Sequence, residues 1–430
     1  MIYTLRKIGF IVGVCILFLL KNEQILAQVS LEQCQELAVA NYPLVKQQAL
    51  IEKSREYSIE NASKAFLPQF GLYGQATYQS AVTKLPIQSP GMEVPVLSKD
   101  QYKIYADISQ RLFDGGEIKN RKLGIEASSI VKERALNVEL YKLRERVNQL
   151  FFGILTIDEQ LNITDLLAQD LQNGLDKTQA LVNNGVALRS NAEIVKAELL
   201  KTKQRSTELR AGRKAFTDML GLFIGKILDE NTVFSKPNPI IPSTEIRRPE
   251  LALFDARSRS LDVQQKSIDN RSIPKVDLFF QGGYGKPALN IFEPGFKPYY
   301  IGGARIRWNL SGWYTNKKEK ALLSIERKNI DLEKETFLFN TRFKMKEQYA
   351  AIAKYQELLA ADEEIVELRK QVKKTALIQL ENGVINTSDY LREVHAEDQA
   401  RLNKAIHDIQ LLSALYDNKA ITGHSTKESK

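Results

Sequence analysis

The sequence predicts a mainly α protein with a small membrane β-barrel contribution, in which long coiled-coil hairpins accompany four β-strands per chain. Three observations predict it. Landmarks recur at fixed spacing in the two halves, long proline-free stretches carry heptad periodicity, and four short segments alternate apolar with polar residues.

The repetition comes first. The stretches NNGVALRS (Asn183–Ser190) and ENGVINTS (Glu381–Ser388) place Gly185 and Gly383 198 residues apart. Pro43 and Pro68 are separated by 25 residues, and Pro249 and Pro274 by the same 25. RLFDGGE (Arg111–Glu117) is echoed by WNLSGWY (Trp308–Tyr314). Asp114 precedes Gly185 by 71 residues and Ser311 precedes Gly383 by 72. Chance similarity seldom keeps three landmarks in step, so the chain reads as a tandem duplication of a unit of roughly 200 residues. The units are placed at 28–225 and 247–418. The segment 226–246, with Pro237, Pro239 and Pro242, joins them.

Each unit then opens on a helix and continues to a very long one. Between Glu117 and Val182 no proline occurs, and apolar or small residues fall at alternating steps of four and three. The seam runs through Leu136, Leu140, Leu143, Val147, Leu150, Ile154, Ile157, Leu161, Thr164, Ala168, Leu171 and Leu175. Helices are predicted over 116–183 and, with a less regular seam through Tyr349, Ile352, Leu359, Ile365, Leu368 and Val372, over 315–381. Such a helix would be roughly 100 Å long at about 1.5 Å per residue, so it must pack against others along most of its length. Asn184-Gly185 and Asn382-Gly383 tolerate positive φ and end these helices. Return helices follow over 187–221 and 386–418, with Ser190 and Ser388 as N-caps.

The strand pairs are placed at 69–83 with 100–112, and at 275–285 with 299–310. Tyr102, Ile104, Ala106 and Ile108 alternate with Lys103, Tyr105, Asp107 and Ser109. Tyr300, Gly302, Ala304, Ile306 and Trp308 alternate with Ile301, Gly303, Arg305 and Arg307. Period two with aromatic residues clustered at the ends is the pattern of barrel strands, one face to lipid and one to water. Four strands cannot close a barrel, since the smallest membrane barrels use about eight. An open sheet would leave unpaired edges in lipid, so several chains must share one barrel. The proline-rich stretches Leu85–Ser98 and Lys286–Pro298 read as external loops.

The ends fit an exported chain. Arg6 and Lys7 precede the apolar run Ile8–Leu20, and a polar stretch ends at Ala27, which reads as a signal peptide over 1–27. The run is shorter than the roughly 20 residues of a spanning helix. Neither Cys15 nor Cys34 stands in a lipid-attachment context. Once the signal leaves, Cys34 is alone and no intrachain disulfide is possible. Three cations and one anion leave with the signal, so the formal net charge falls from +9 to about +7. An exported chain seldom meets nucleic acid, and interspersed Lys, Arg, Glu and Asp solvate long helices. The residues 419–430 read as a disordered tail.

No chemistry emerges from the motifs. His395, His407 and His424 have no second ligand at metal-binding spacing, and His395 with Glu393 and Glu397 reads as a solvated helix face. GLYG, GGYG and IGG match no phosphate or dinucleotide loop. We therefore expect no catalytic residue, no metal and no cofactor.

The repeated order of helix, strand pair, long helix, glycine turn and return helix resembles the TolC family of outer-membrane efflux channels, with its LFDGG and NGV…SD boundary motifs. The resemblance spans residues 28–418. It implies a homotrimer in which twelve strands form one barrel and twelve helices continue it as a tunnel across the periplasm. The segment 226–246 would girdle that tunnel. It implies contact with outer-membrane lipid, a periplasmic adaptor and an inner-membrane transporter, with Asn184, Gly185, Val186, Asn382, Gly383 and Val384 as the adaptor-contact tips. It also implies that Asp389, six residues after Gly383, lines the periplasmic entrance constriction, whereas the first unit has Asn191 there. The family's clasping tyrosine and arginine are missing, since Leu380 and Ile385 stand in their places. A periplasmic adaptor-like coiled-coil protein would share one hairpin but add compact β domains. A filament protein would share the heptads but lack the strand pairs.

Overall fold

The computed structural model describes residues 28–83, 97–293 and 295–424. The expected signal segment, most of the loop at Leu85–Ser98 and the final six residues of the expected tail lie outside the described residues.

Helix α1 (Leu31–Asn41) starts at a capping box, in which the Ser30 hydroxyl accepts from the Gln33 N–H and the Gln33 side chain accepts from the Ser30 N–H. It stops where Tyr42, preceding Pro43, is driven to extended backbone. One 3₁₀ turn (Pro43–Lys46) leads to α2 (Gln47–Ser63), followed by β1 (Gln69–Tyr78) and β2 (Asp100–Phe113). Next come α3 (Glu117–Tyr141), α4 (Leu143–Asn183) and α5 (Arg189–Ile224). The second half supplies α6 (Pro249–Asn270), β3 (Lys275–Lys286), β4 (Lys297–Arg307), α7 (Gly312–Glu381) and α8 (Thr387–Thr422).

Several boundaries differ from the sequence expectation, each for a local reason. The expected helix 116–183 is split at Lys142. Its backbone stays right-handed and its N–H still reaches the Val138 carbonyl at 3.3 Å, so the split is an irregularity in the ladder rather than a turn. β1 ends at Tyr78, not 83, because its last ladder partner is Asp100, where β2 begins. β4 ends at Arg307, not 310. Arg307 pairs with the first residue of β3, and the Trp308 indole then donates to the Ser272 carbonyl instead. The expected tail at 419–422 is helical: α8 continues to Thr422 because Asn418, Ala420, Ile421 and Thr422 are buried, and Gly423 at φ 89° ends it.

The chain divides into two compact units. One holds the described residues of Met1–Val45, Val138–Pro249 and Phe337–Lys430; the other holds Lys46–Asn137 and Glu250–Thr336. In the first unit the predicted seam is buried at Leu143, Val147, Ile154, Thr164 and Leu171. Its largest core joins α1, α4, α5 and α8 through Leu31, Val147, Phe151, Phe152, Leu220 and Ile409. The inter-repeat segment enters the same core at Phe234, whose ring meets Phe151 edge-on at 5.7 Å. Backbone and side chains pin that segment further. Val29 donates to Val233, Ser235 donates to Val29, and Arg213 spans the carbonyls of Glu230 and Thr232 while paired with Asp158. Cys34 lies in this core, and burial pushes its thiol up to about 12, which keeps it protonated and inert.

The second unit contains one antiparallel sheet in the order β1-β2-β3-β4. Its register sorts the side chains onto two faces. One face carries Phe70, Leu72, Tyr102, Ile104, Ile108, Leu278, Phe280, Tyr300 and Ile306, and Phe70 is 77% exposed. The other carries Gln69, Gln75, Lys103, Asp107, Ser109, Arg111, Asp277, Gln281, Arg305 and Arg307. At the inner end of β2 the buried Asp114 accepts from the N–H groups of Gly116 at 2.8 Å and Ile118 at 2.7 Å, so a carboxylate caps the start of α3. The matching Ser311 is exposed, and Asn309 takes its N–H at 3.0 Å.

Phe151 is fully buried between two aromatic neighbours, so Phe151→Ala is expected to cost about 3–5 kcal/mol through the cavity it leaves. Chemical denaturation of the purified protein followed by circular dichroism checks this. Exposed Leu222→Ala serves as the near-neutral control.

Candidate functional site

The residues singled out from the sequence gather at one end of the first unit's helices. At each turn the helix closes with the same pair of bonds. Gly185 donates to Val182 at 3.0 Å and Val186 to Leu181 at 2.9 Å; Gly383 donates to Leu380 at 3.0 Å and Val384 to Gln379 at 2.8 Å. This is a Schellman closure, and it requires the positive φ that Gly185 (72°) and Gly383 (71°) supply. Asn184 and Asn382 precede these glycines, and Asn382 also donates its amide to the Ile378 carbonyl at 2.8 Å. Val186 and Val384 are 73% and 69% exposed, so two apolar side chains project from the turns with nothing of their own chain covering them. Lys177 joins Glu381 at 2.7 Å, tying the ends of the two long helices.

The caps of the return helices are not the expected serines. Leu188 stands at the N-cap of α5 and makes no side-chain cap, while Ser190 already lies inside the helix. In α8 the cap is Asn386, whose side-chain oxygen takes the Asp389 N–H at 2.9 Å, and Ser388 lies within the first turn. A cap side chain must reach the N–H three residues on, and the helix starts place Asn386, not Ser388, at that distance. Asp389 therefore occupies the first turn, where a carboxylate favours the helix dipole. Its oxygen lies 3.6 Å from the Arg392 guanidinium, and both side chains are solvent-facing.

Behind the turns lies a group that the sequence pattern hid. Glu397, read as solvated, is 2% exposed and is held by Lys373 and by Arg401. Lys373 also reaches Asp170 at 2.8 Å, so one ammonium links α4, α7 and α8. Burial by itself would lower the Lys373 pKa. The hydrogen bonds and charges of Asp170 and Glu397 outweigh that and raise it. Tyr390 beside them is buried and its hydroxyl pKa is pushed up by desolvation. A packed patch of Leu167, Leu171, Val195, Ala376, Leu391 and Val394 adjoins the cluster. The one signal in the sequence was helical spacing: Glu397 follows Tyr390 by seven residues and Val394 by three, so it shares the apolar face of α8.

The histidines have ordinary neighbours. His407 meets Asp362 at 2.7 Å, His395 meets Glu198 at 3.4 Å, and His424 meets Ser243 at 3.2 Å. Among the described residues no cluster of His, Cys, Asp and Glu is arranged to hold a metal ion, and no helix is long and apolar enough to cross a membrane.

Comparison with known proteins bears on this architecture. Residues 35–218, most of the first repeat, match the sequence model of the family described as outer membrane efflux protein. Over that stretch, less than half of the chain, the protein is similar to this family. Solved structures of similar fold extend the likeness beyond the first repeat. The outer-membrane channel OprN is 15% identical with a TM-score of 0.65, the match covering 92% of this chain and 90% of that one. The CmeC outer membrane channel of Campylobacter jejuni is 12% identical with a TM-score of 0.64, covering 93% and 88%. The MtrE outer membrane channel of Neisseria gonorrhoeae, in its open state, is 14% identical with a TM-score of 0.61, covering 91% and 88%. At such identities the structures establish the fold. No match was found among curated proteins.

The Lys373 cluster is expected to act as a clamp. Glu397→Ala should cost about 3–5 kcal/mol, because it leaves partly buried cations without their carboxylate. The pH dependence has a definite sign. A lysine whose folded pKa is raised stabilises fully below its unfolded value of about 10.4. That contribution is lost as pH climbs through the higher folded pKa. Thermal unfolding between neutral and strongly alkaline pH should show a steeper alkaline loss in the wild type than in Lys373→Met.

Proposed function

We propose that the chain is one protomer of a homotrimeric outer-membrane exit duct, serving a tripartite efflux or type I secretion system and extending from the outer membrane into the periplasm. The sheet carries this reading. Its apolar face is exposed, its opposite face is polar, and its outer strands β1 and β4 each have one edge without a partner among the described residues. In hydrocarbon such edges are prohibitively costly, and three copies joined edge to edge give twelve strands and no edge. The helices ask for neighbours as well. On α7 Ile325, Leu332 and Phe339 follow one another at steps of seven, as do Leu358, Ile365 and Val372, and all six are exposed. A heptad stripe of this kind is a seam awaiting a partner helix. The exported protein is expected to fractionate with the outer membrane as a heat-labile species of about three times the chain mass. A periplasmic adaptor, the alternative, would remain outside that membrane.

The glycine turns are the surface on which a periplasmic adaptor would dock. Exposed valines and a rigid backbone closure suit an apolar contact at Asn184, Gly185, Val186, Asn382, Gly383 and Val384. A Cβ added at Gly185 or Gly383 meets nothing within 4 Å, so substitution there strains the turn without a clash inside the chain. Replacing both glycines by valine is expected to abolish export while trimers persist in the membrane; undiminished export would remove the docking role.

Asp389 is assigned to the periplasmic entrance, where three copies would ring the opening. Its pairing with Arg392 weakens its pull on cations but leaves a carboxylate facing solvent. Asp389→Asn is expected to weaken block by trivalent cations in planar bilayers with little change in trimer stability. Unaltered block would place Asp389 away from the lumen.

A further inference from the structure

The polar face of the sheet carries mostly one sign of charge. Towards the helical end, Arg111 and Arg305 stand on either side of Asp277, and Lys275 pairs in register with Arg307. Towards the loop end, Lys103 and Lys297 both face Gly285. The two bands are separated by eight residues of β4, roughly 26 Å at about 3.3 Å per residue. Between them Tyr73 and Tyr105 stack at 5.3 Å and Tyr299 shares their level through Gly283.

The acids on this face are few and occupied. Asp277 is buried and accepts from Arg111 at 3.0 Å and from Arg307 at 2.6 Å. Asp107 accepts from the Gln281 amide at 2.6 Å. Glu117, just past β2, takes Lys275 and Arg111. Among the described residues Lys103, Lys297 and Arg305 have no carboxylate within ion-pair distance; Arg305 lies over the Phe279 ring at 4.6 Å. Six bases thus face two acids on the strands, and even with Glu117 the excess is positive.

We propose that the barrel interior selects for anions, so that the cargo, or the part of it that threads the barrel, is a negatively charged solute. This rests on the duct reading, which sets that face of the sheet towards water. A passage lined by one sign of charge and walled by low-dielectric material focuses the field and concentrates counter-ions. Three copies multiply the excess. The Debye length of about 10 Å at 0.1 M salt lets the bands act on a solute in the lumen, and at 1 M, where it is about 3 Å, they are largely screened.

The test uses the purified full-length protein with a reporter cysteine at Gln75, which is exposed directly opposite Lys103, while the natural Cys34 is buried. An anionic sulfonatoethyl methanethiosulfonate and its cationic trimethylammonium counterpart are compared, each rate normalised to that with a free small thiol. At low salt the anionic reagent is expected to react at least about tenfold faster. The ratio should collapse towards unity at about 1 M salt and in the K103Q/K297Q/R305Q variant. Equal rates, or a preference for the cation, would overturn anion selection while leaving the duct intact. If neither reagent reaches Gln75→Cys, that face is not water-lined, and the duct reading falls with the inference.

Discussion

A backbone amide or carbonyl cannot be left unpaired in hydrocarbon, and the proposed duct rests on that constraint. Its four strands satisfy one another internally, from Gln69 opposite Ser109 to Lys275 opposite Arg307, but the outer edges of β1 and β4 have no partner among the described residues. The apolar face, with Phe70, Leu72, Tyr300 and Ile306 exposed, suits contact with lipid tails. In the proposed duct, closure by further copies would resolve both demands at once. It would also make the opposite face a surface in contact with water, and therefore set where charge can collect.

The helices obey the same logic in a milder solvent. The α4 seam is satisfied within the chain, with Val147, Phe151 and Ile154 fully buried against α1, α5 and α8. The α7 stripe is not, with Phe339 and Leu368 open to solvent. Both have heptad spacing, so periodicity alone announces a seam and not its partner. Water tolerates an open apolar stripe at a cost of about 25 cal/mol per Å², which makes association favourable. Membrane hydrocarbon allows no comparable tolerance for an open strand edge.

At the turns, local and tertiary effects divide cleanly. The Schellman closures at Gly185 and Gly383 are set by a few neighbouring residues and need no tertiary help. Holding two helical hairpins side by side does need it. Lys373 reaches Asp170 across one helix pair and Glu397 across another, and the apolar patch around Leu171 and Val394 adjoins them. The charged cluster so ties α7 and α8 to α4.

The sequence by itself determined whatever depends on near neighbours. The duplication follows from kept spacing, the helix ends from glycines that accept positive φ, and the alternation of Tyr102, Ile104, Ala106 and Ile108 from the period of a strand. Only the tertiary structure decided what depends on distant residues. Glu397 looked like part of a solvated face because its cations lie elsewhere, Lys373 on a different helix and Arg401 a turn further on. Thr422 continues α8, where a tail was expected, because it is fully buried and its carbonyl takes the N–H of the distant Arg247. The cap fell to Asn386 rather than Ser388 once the helix start was fixed. Nor could any single strand reveal that Arg111, Arg305 and Lys103 share one face with so few acids, since that is a property of register, and the two halves of the sheet are set in register by β2 pairing with β3, segments more than 150 residues apart.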